Sequence, residues 1–211
     1  VAVQANRMRL QQFVAPARPV FLRQVHGVGV EVLDAHTKHG QTADACVTTQ
    51  HHVACTIMVA DCLPLLFCDT QGRVVAAAHA GWRGLAAGVI EQTLRMMRLQ
   101  APLQPDDIQV WLGPCIGPTH FEVGGDVYAE FVSQTEMNQT CFVPHPVHPG
   151  KWFADLPALA RLRLSALGVH LIEGNDSSLS WCTVAKSSKL FSFRRDGLAG
   201  RFAACIWREG L

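Results

Sequence analysis

Among the eight cysteines and ten histidines of this 211-residue chain, Cys62 and His79 are the pair whose positions promise chemistry. A thiol and an imidazole held in contact ligate one ion, or act as a nucleophile and its base. The two residues flank apolar runs at 63–68 and 73–78, joined by the turn-forming Asp69-Thr70-Gln71-Gly72. Read as an antiparallel hairpin with a four-residue loop, the runs pair Cys68 with Arg73, and counting back from there sets Cys62 opposite His79 on one face. A loop of odd length would break that register. No Cys-x-x-Cys pair occurs, so any metal site must be assembled from distant segments. Catalytic zinc sites commonly use three protein ligands and leave a fourth position open. His26, beside Gly27 where a strand-like run is interrupted, is the third candidate. Spacing alone leaves a plainer reading open, in which Cys62 is a core thiol and His79 a hydrogen-bonded histidine at a strand end. His51-His52 and the pair His145 and His148 read as loop histidines, and Cys115 as a buried structural thiol.

These residues need a folded frame, and the composition supplies one. Hydrophobic residues make up 49% of the chain and charged residues 17%, with a net charge of +1, which excludes extensive disorder. No block of like charges marks a nucleic-acid or acidic-membrane surface, so the expected partner is a small molecule. No apolar run approaches the roughly 18 residues of a membrane helix. The cysteines fall below half the density of about 8–10% that marks a disulfide scaffold, so a reducing compartment, the cytoplasm, is expected. No repeat or linker divides the chain, and 1–211 reads as one catalytic domain.

The pattern predicts strands at 21–25 and 28–33, with a bulge or close backbone approach at His26-Gly27. Further strands are predicted at 53–59, 63–68, 73–78, 108–112, 169–172 and 202–207. Helices are predicted at 85–99, at 126–132, and after an Asp155 cap with Pro157 in the first turn and Gly168 as the stop. Hairpins mixed with strand–helix units imply an α/β protein of mixed α+β type, with mixed sheets and helices packed on them.

Five strings then stand together in order: Arg23-Gln24-Val25-His26-Gly27, Ala60-Asp61-Cys62-Leu63-Pro64, His79-Ala80-Gly81-Trp82-Arg83-Gly84, Gly113-Pro114-Cys115-Ile116-Gly117 and Phe191-Ser192-Phe193-Arg194-Arg195. They resemble the YfiH family of multifunctional purine nucleoside enzymes, also called laccase-domain or polyphenol oxidase proteins, and the resemblance runs from Asn6 to the end. It implies a four-layer α/β sandwich and a catalytic zinc on His26, Cys62 and His79. It also implies phosphorolysis of adenosine, inosine, guanosine and methylthioadenosine, and deamination of adenosine. The family usually carries a further stretch before the equivalent of Asn6-Arg7. Because this sequence begins at Val1, an N-terminal segment is expected to be missing.

Under that resemblance, deamination needs a carboxylate to carry a proton to the departing ammonia. Asp61 is the candidate, with orientation of a ligand or capping of a turn as its alternative role, and Asp44 is a weaker candidate for the same work. Phosphorolysis needs cations for phosphate. Arg83, ahead of a helix starting near Leu85, and Arg194 and Arg195 are the candidates, while Trp82 is placed either to stack on a purine or to pack in the core. Gly81 and Gly84 fit a tight turn that brings backbone near a ligand. Three other readings compete: a metal-free Cys62–His79 amide or ester hydrolase, a peptidoglycan-precursor editing role suggested by another family name, and copper-dependent phenol oxidation. The last would need closely spaced His ligands, and no His-x-His pair occurs. The oligomeric state is not readable from the sequence.

Overall fold

The structure, a computed structural model, describes residues 2–198 and 200–210. From the N-terminus, helix α1 (Ala2–Phe13) leads to strands β1 (Arg18–Phe21), β2 (Val30–Val32), β3 (Ala45–Thr48), β4 (Val53–Val59), β5 (Leu63–Asp69) and β6 (Val75–Ala80). Helices α2 (Trp82–Ala87) and α3 (Val89–Gln100) follow, then β7 (Ile108–Leu112), β8 (Glu122–Gly124) and α4 (Gly125–Val132). The rest comprises β9 (Phe142–Pro144), β10 (Lys151–Ala154), α5 (Leu156–Ala166), β11 (Leu171–Gly174), α6 (Phe193–Asp196) and β12 (Phe202–Ile206).

A mixed six-stranded sheet in the order β11-β7-β5-β6-β3-β2 packs against a three-stranded sheet, β1-β4-β12. The alternation of β4 drives this packing: Val53, Cys55, Ile57 and Val59 face Cys46, Val75 and Ala77 of the large sheet in one buried cluster. The other face of the large sheet offers Leu63, Leu65, Phe67, Ala76, Ala78 and Ala80 to the helices. Helix α3 answers with Val89, Ile90, Thr93, Leu94 and Met97 on one stripe. Helix α1 lies beyond the small sheet, beside β1, and a separate sheet, β8-β10-β9, flanks the helical side.

Several expectations change. The segment read as one helix over 85–99 starts at Trp82 and is broken at Gly88, whose φ of 96° is the left-handed cap of α2. The runs at 21–25 and 28–33 are not halves of one bulged strand, because β1 belongs to the small sheet and β2 to the large one. The same holds for β4 and β5, so His26 and the Asp61-Cys62 step both sit where the chain crosses between sheets. The β5–β6 hairpin is also longer than four residues. Asp69 Oδ1 accepts from the amides of Arg73 (2.5 Å) and Val74 (2.9 Å), and the pairing shifts to Cys68 with Val75 and Pro64 with His79. Cys62 is therefore diagonal to His79 rather than opposite it. Both still face the small sheet, because the loop stays even in length. Asp155 caps α5 as read, accepting from the Ala158 amide at 2.9 Å. No helix among the described residues is long and apolar enough to cross a membrane.

Candidate functional site

His26, Cys62 and His79 meet at the open end of the layer between the two sheets, their ligand atoms all within 4.8 Å of one another. His79 comes from the end of β6 and is buried, Cys62 from the β4–β5 crossover, and His26 from the β1–β2 crossover in a left-handed turn (φ 62°). Cys62 Sγ lies 3.6 Å from His26 Nε2. Zinc–sulfur and zinc–nitrogen bonds at a tetrahedral angle would separate such atoms by about 3.5 Å, so the donor set fits a zinc ion with a fourth position open.

Asp44 organises all of this. It is fully buried, and its carboxylate accepts His79 Nδ1 at 2.8 Å together with the amides of His26 (2.8 Å), Gly27 (2.7 Å) and Val25 (3.1 Å). One side chain thus fixes the His26 turn and the tautomer of His79, leaving His79 Nε2 for the centre. Burial pushes the Asp44 carboxyl up, but His79 and the three amides more than offset it and hold it below its usual range. With its lone pairs so engaged, Asp44 is placed to hold His79 and the His26 turn, and it does not line the cavity. Burial also pushes the Cys62 thiol up, yet His26 and His79 bring it down to about 7. In turn burial lowers His79, and Asp44 and Cys62 raise it to about 9. The thiol is thus lowered and the imidazole raised by their mutual contact, and an incoming metal would displace the proton they hold.

The two glycines of the His79–Gly84 string make room for His26. A Cβ on Gly81 would stand 2.6 Å from His26 Cδ2 and 3.0 Å from Cys62 Sγ, and one on Gly84 would stand 2.9 Å from the Gly27 carbonyl oxygen. The close backbone approach expected there is to the His26 turn.

A cavity of about 1050 Å³ opens over the cluster. Asp61 (φ 89°) lines it, with Oδ1 accepting from Thr183 Oγ1 at 2.6 Å and Oδ2 from the Arg194 amide at 2.6 Å. It therefore ties the Cys62 crossover to α6 and is also the only carboxylate among the described lining residues. Arg83 and Arg194 line the cavity as expected, whereas Arg195 does not. Its guanidinium donates to the carbonyls of Thr183, Val184 and Leu190 and to Asp196, so it locks the loop and is not available to substrate. Arg83 lies in the first turn of α2 and not ahead of the helix. Trp82 serves both readings, packing on the core and lining the cavity.

Sequence reasoning missed the wall built by α1, where Val3, Asn6, Arg7 and Leu10 line the cavity at helical spacing. It also missed that guanidinium groups lie over rings around the rim: Arg7 over Phe21 (4.3 Å), Arg83 over Trp82 (4.4 Å), Arg194 over Phe121 (5.6 Å) and Arg201 over Phe193 (5.9 Å). All eight residues line the cavity. Val3, Asn6, Arg7 and Leu10 share one helical face, but two of the four are polar, so no apolar stripe marked the helix in the sequence. Nothing in the sequence pointed to the ring pairings.

His145 and His148 are not isolated loop residues, since both converge on Glu122, at 3.3 and 3.5 Å from its Oε2. Here His145 Nδ1 accepts from the amides of Val147 and His148. The ligand atoms of Glu122, His145 and His148 lie within 4.8 Å of one another, a second group that could hold a metal ion. Cys115 is buried, and burial drives its thiol well above the usual range, as a structural role requires.

The chain is similar to known proteins along almost its whole length. Residues 1–209 match the family described as multi-copper polyphenol oxidoreductase laccase. A Pseudomonas aeruginosa protein named purine nucleoside phosphorylase PA4543 is 46% identical over 99% of this chain and 81% of its own length. Purine nucleoside phosphorylase YfiH of Escherichia coli is 43% identical over 97% of this chain and 80% of its own length. The crystal structure of Neisseria meningitidis protein NMB0706 superposes with a TM-score of 0.90 at 43% identity, covering 99% of this chain and 82% of that one. By family match, identity and fold alike, the chain belongs to the laccase-like family that includes the YfiH proteins.

Proposed function

We propose that this protein is a zinc-dependent purine nucleoside phosphorylase that also deaminates adenosine. The observation that carries the reading is the convergence of His26, Cys62 and His79 at one end of a ligand-sized cavity. The relatives named purine nucleoside phosphorylase support the substrate class, with adenosine, inosine, guanosine and methylthioadenosine as substrates. A bound zinc ion supplies Lewis acidity that activates water near neutral pH.

In deamination, water adds to the adenine carbon bearing the amino group, and ammonia leaves. Asp61, the lining carboxylate, takes the water's proton at a carboxylate oxygen and delivers it to the departing nitrogen. In phosphorolysis an oxygen of dihydrogen phosphate bonds to the sugar C1′ while the C1′–N bond breaks, and the phosphate's proton passes to the ring nitrogen of the departing purine. Arg83 and Arg194 hold the phosphate at the rim, and Trp82 offers ring surface to the base. A Cys-thiolate ligand beside two histidines favours zinc over coupled copper centres, which need several His-rich groups held close together.

One observation favours a second reading. Cys62, His79 and Asp44 form a Cys–His–Asp series, with Asp44 on His79 Nδ1 at 2.8 Å, as a metal-free thiol hydrolase needs. In that series His26 would serve only to hold the thiolate, 3.6 Å from Cys62 Sγ. The test is metal content and adenosine turnover, with and without phosphate, for wild type and Cys62→Ala. The proposal predicts about one zinc per chain, adenine and ribose phosphate only with phosphate, inosine regardless of it, and loss of all three in the variant. A zinc-free wild type that leaves adenosine untouched after reconstitution overturns it, and chelator-insensitive amide hydrolysis would establish the second reading instead.

A further inference from the structure

The cavity holds more positive charge, and more length, than a nucleoside and one phosphate require. Its volume of about 1050 Å³ reaches the upper end of the roughly 300–1,000 Å³ typical of small-ligand sites. It runs from the cluster at Cys62 along the small sheet to α1. Arg83 follows His79 by four residues and the Arg194 amide holds Asp61, so both sit at the cluster end. Arg7 belongs to the other end. Its guanidinium lies 4.3 Å over Phe21, and Phe21 pairs with Thr56 of β4, well before the strand turns at Asp61 into Cys62. At about 3.3 Å per residue, that separation is on the order of 10–20 Å. No carboxylate lies within ion-pair distance of Arg7, Arg83 or Arg194 among the described residues. Arg7 is therefore an exposed cation lying over a ring on the cavity wall, with no carboxylate paired to it among the described residues. Arginine so presented suits a phosphate monoester, which its planar fork can grip with two parallel bonds.

We propose that the end of the cavity walled by α1 is an anion subsite for the 5′-phosphate of a purine nucleoside monophosphate, with Arg7 as its principal cation. The inference rests on the purine nucleoside reading of the cavity. A ligand whose base lies toward the cluster points its C5′ away from it, toward Arg7, while Arg83 and Arg194 remain for inorganic phosphate.

The experiment is initial-rate kinetics of the zinc-loaded protein, reading the KM for adenosine and the competitive inhibition constant of adenosine 5′-monophosphate, each with and without inorganic phosphate, for wild type, Arg7→Gln and Arg7→Lys. The monophosphate should bind at least about tenfold more tightly than adenosine, as a charge-assisted contact allows. Arg7→Gln should abolish that advantage, Arg7→Lys should keep part of it, and adenosine affinity should be unchanged in both, which also reports an intact fold. Raised salt should weaken the monophosphate selectively. A monophosphate that binds no better than adenosine overturns the subsite while leaving the nucleoside reading intact. So does an advantage that survives Arg7→Gln and is competed by inorganic phosphate, which would seat the phosphoryl group at Arg83 and Arg194. An equal loss of both ligands in Arg7→Gln makes Arg7 a wall residue and also overturns it. If neither ligand binds wild type, the subsite and the nucleoside reading fall together.

Discussion

Replacing Gly81 by alanine should separate the metal centre from the fold that carries it. The backbone there, at φ −68° and ψ 160°, is an extended conformation that alanine adopts without strain, and such a change at a compatible site ordinarily stabilises a protein by about 0.4–1 kcal/mol through the unfolded chain. Against that gain stands one methyl group, 2.6 Å from His26 Cδ2 and 3.0 Å from Cys62 Sγ. Carbon atoms in contact prefer about 3.5–4.0 Å, so the His26 ring must retreat by roughly 1 Å. His26 is exposed and its ring can swing outward, so the cost falls on ligand geometry and not on the core. Metal–ligand distances tolerate only about 0.2 Å of error. The displacement therefore removes His26 from the ligand set, lowering zinc affinity by at least the 10–100-fold seen when supporting partners are lost, with turnover falling about 100-fold. Zinc affinity by competition with a chromophoric chelator, adenosine turnover and chemical denaturation of the metal-free protein give the three readouts. Metal-free Gly81→Ala should unfold at or above the wild-type denaturant midpoint while binding zinc poorly. Wild-type zinc affinity in that variant would refute the assignment of His26 to the centre, and a large loss of metal-free stability would refute the claim that the glycine serves the site and not the fold.

Asp44→Asn should cost about 2–3 kcal/mol in denaturant unfolding, because a buried acceptor of charge-assisted bonds is lost, and should lower zinc affinity about 10–100-fold through His79. Stripping zinc with a chelator should lower the melting temperature and re-addition restore it, by about 2.7 kcal/mol at 100 times the dissociation constant; Cys62→Ala should show no such shift. Arg83→Gln should raise the phosphate KM about tenfold without altering stability, whereas Arg195→Ala should leave the cavity cations in place and instead speed limited proteolysis between residues 183 and 196. Burial pushes the Asp69 carboxyl up, but the Val74 amide and the Arg73 side chain and amide more than offset it and hold it below its usual range. Its stabilisation is complete above about pH 4 and is lost as pH falls through that value toward the folded-state pKa. Asp69→Asn should flatten the acid limb of the stability profile and cost about 1–3 kcal/mol at neutral pH.

That same Asp69 explains why part of the site was legible and part was not. Counting a four-residue loop missed the carboxylate that gathers the Arg73 and Val74 amides, so the register came out two residues short. Two residues is the full period of a strand, and Cys62 and His79 kept a common face through the error. Strand position was readable at β7 and β4 because each apolar run has turn chemistry at its ends, whereas sheet membership was not. Nothing local tells β1 from β2, or β4 from β5, as members of different sheets, and those crossovers carry His26 and Cys62. The third member of the cluster could therefore be suggested by motif resemblance but not placed by spacing. The glycines were read as permissive turns, and their tighter role becomes visible only with the His26 ring beside them. Asp44 was underrated for a related reason: it sits in the bend just before the short strand β3, where no local pattern marks it, and its importance lies in four contacts reaching 17 to 35 residues away. Arg195 shows the converse, since two adjacent arginines in one string carry opposite assignments. One points its guanidinium into the cavity wall and the other into loop carbonyls, a division made by the single turn of α6 between Ser192 and Gly197.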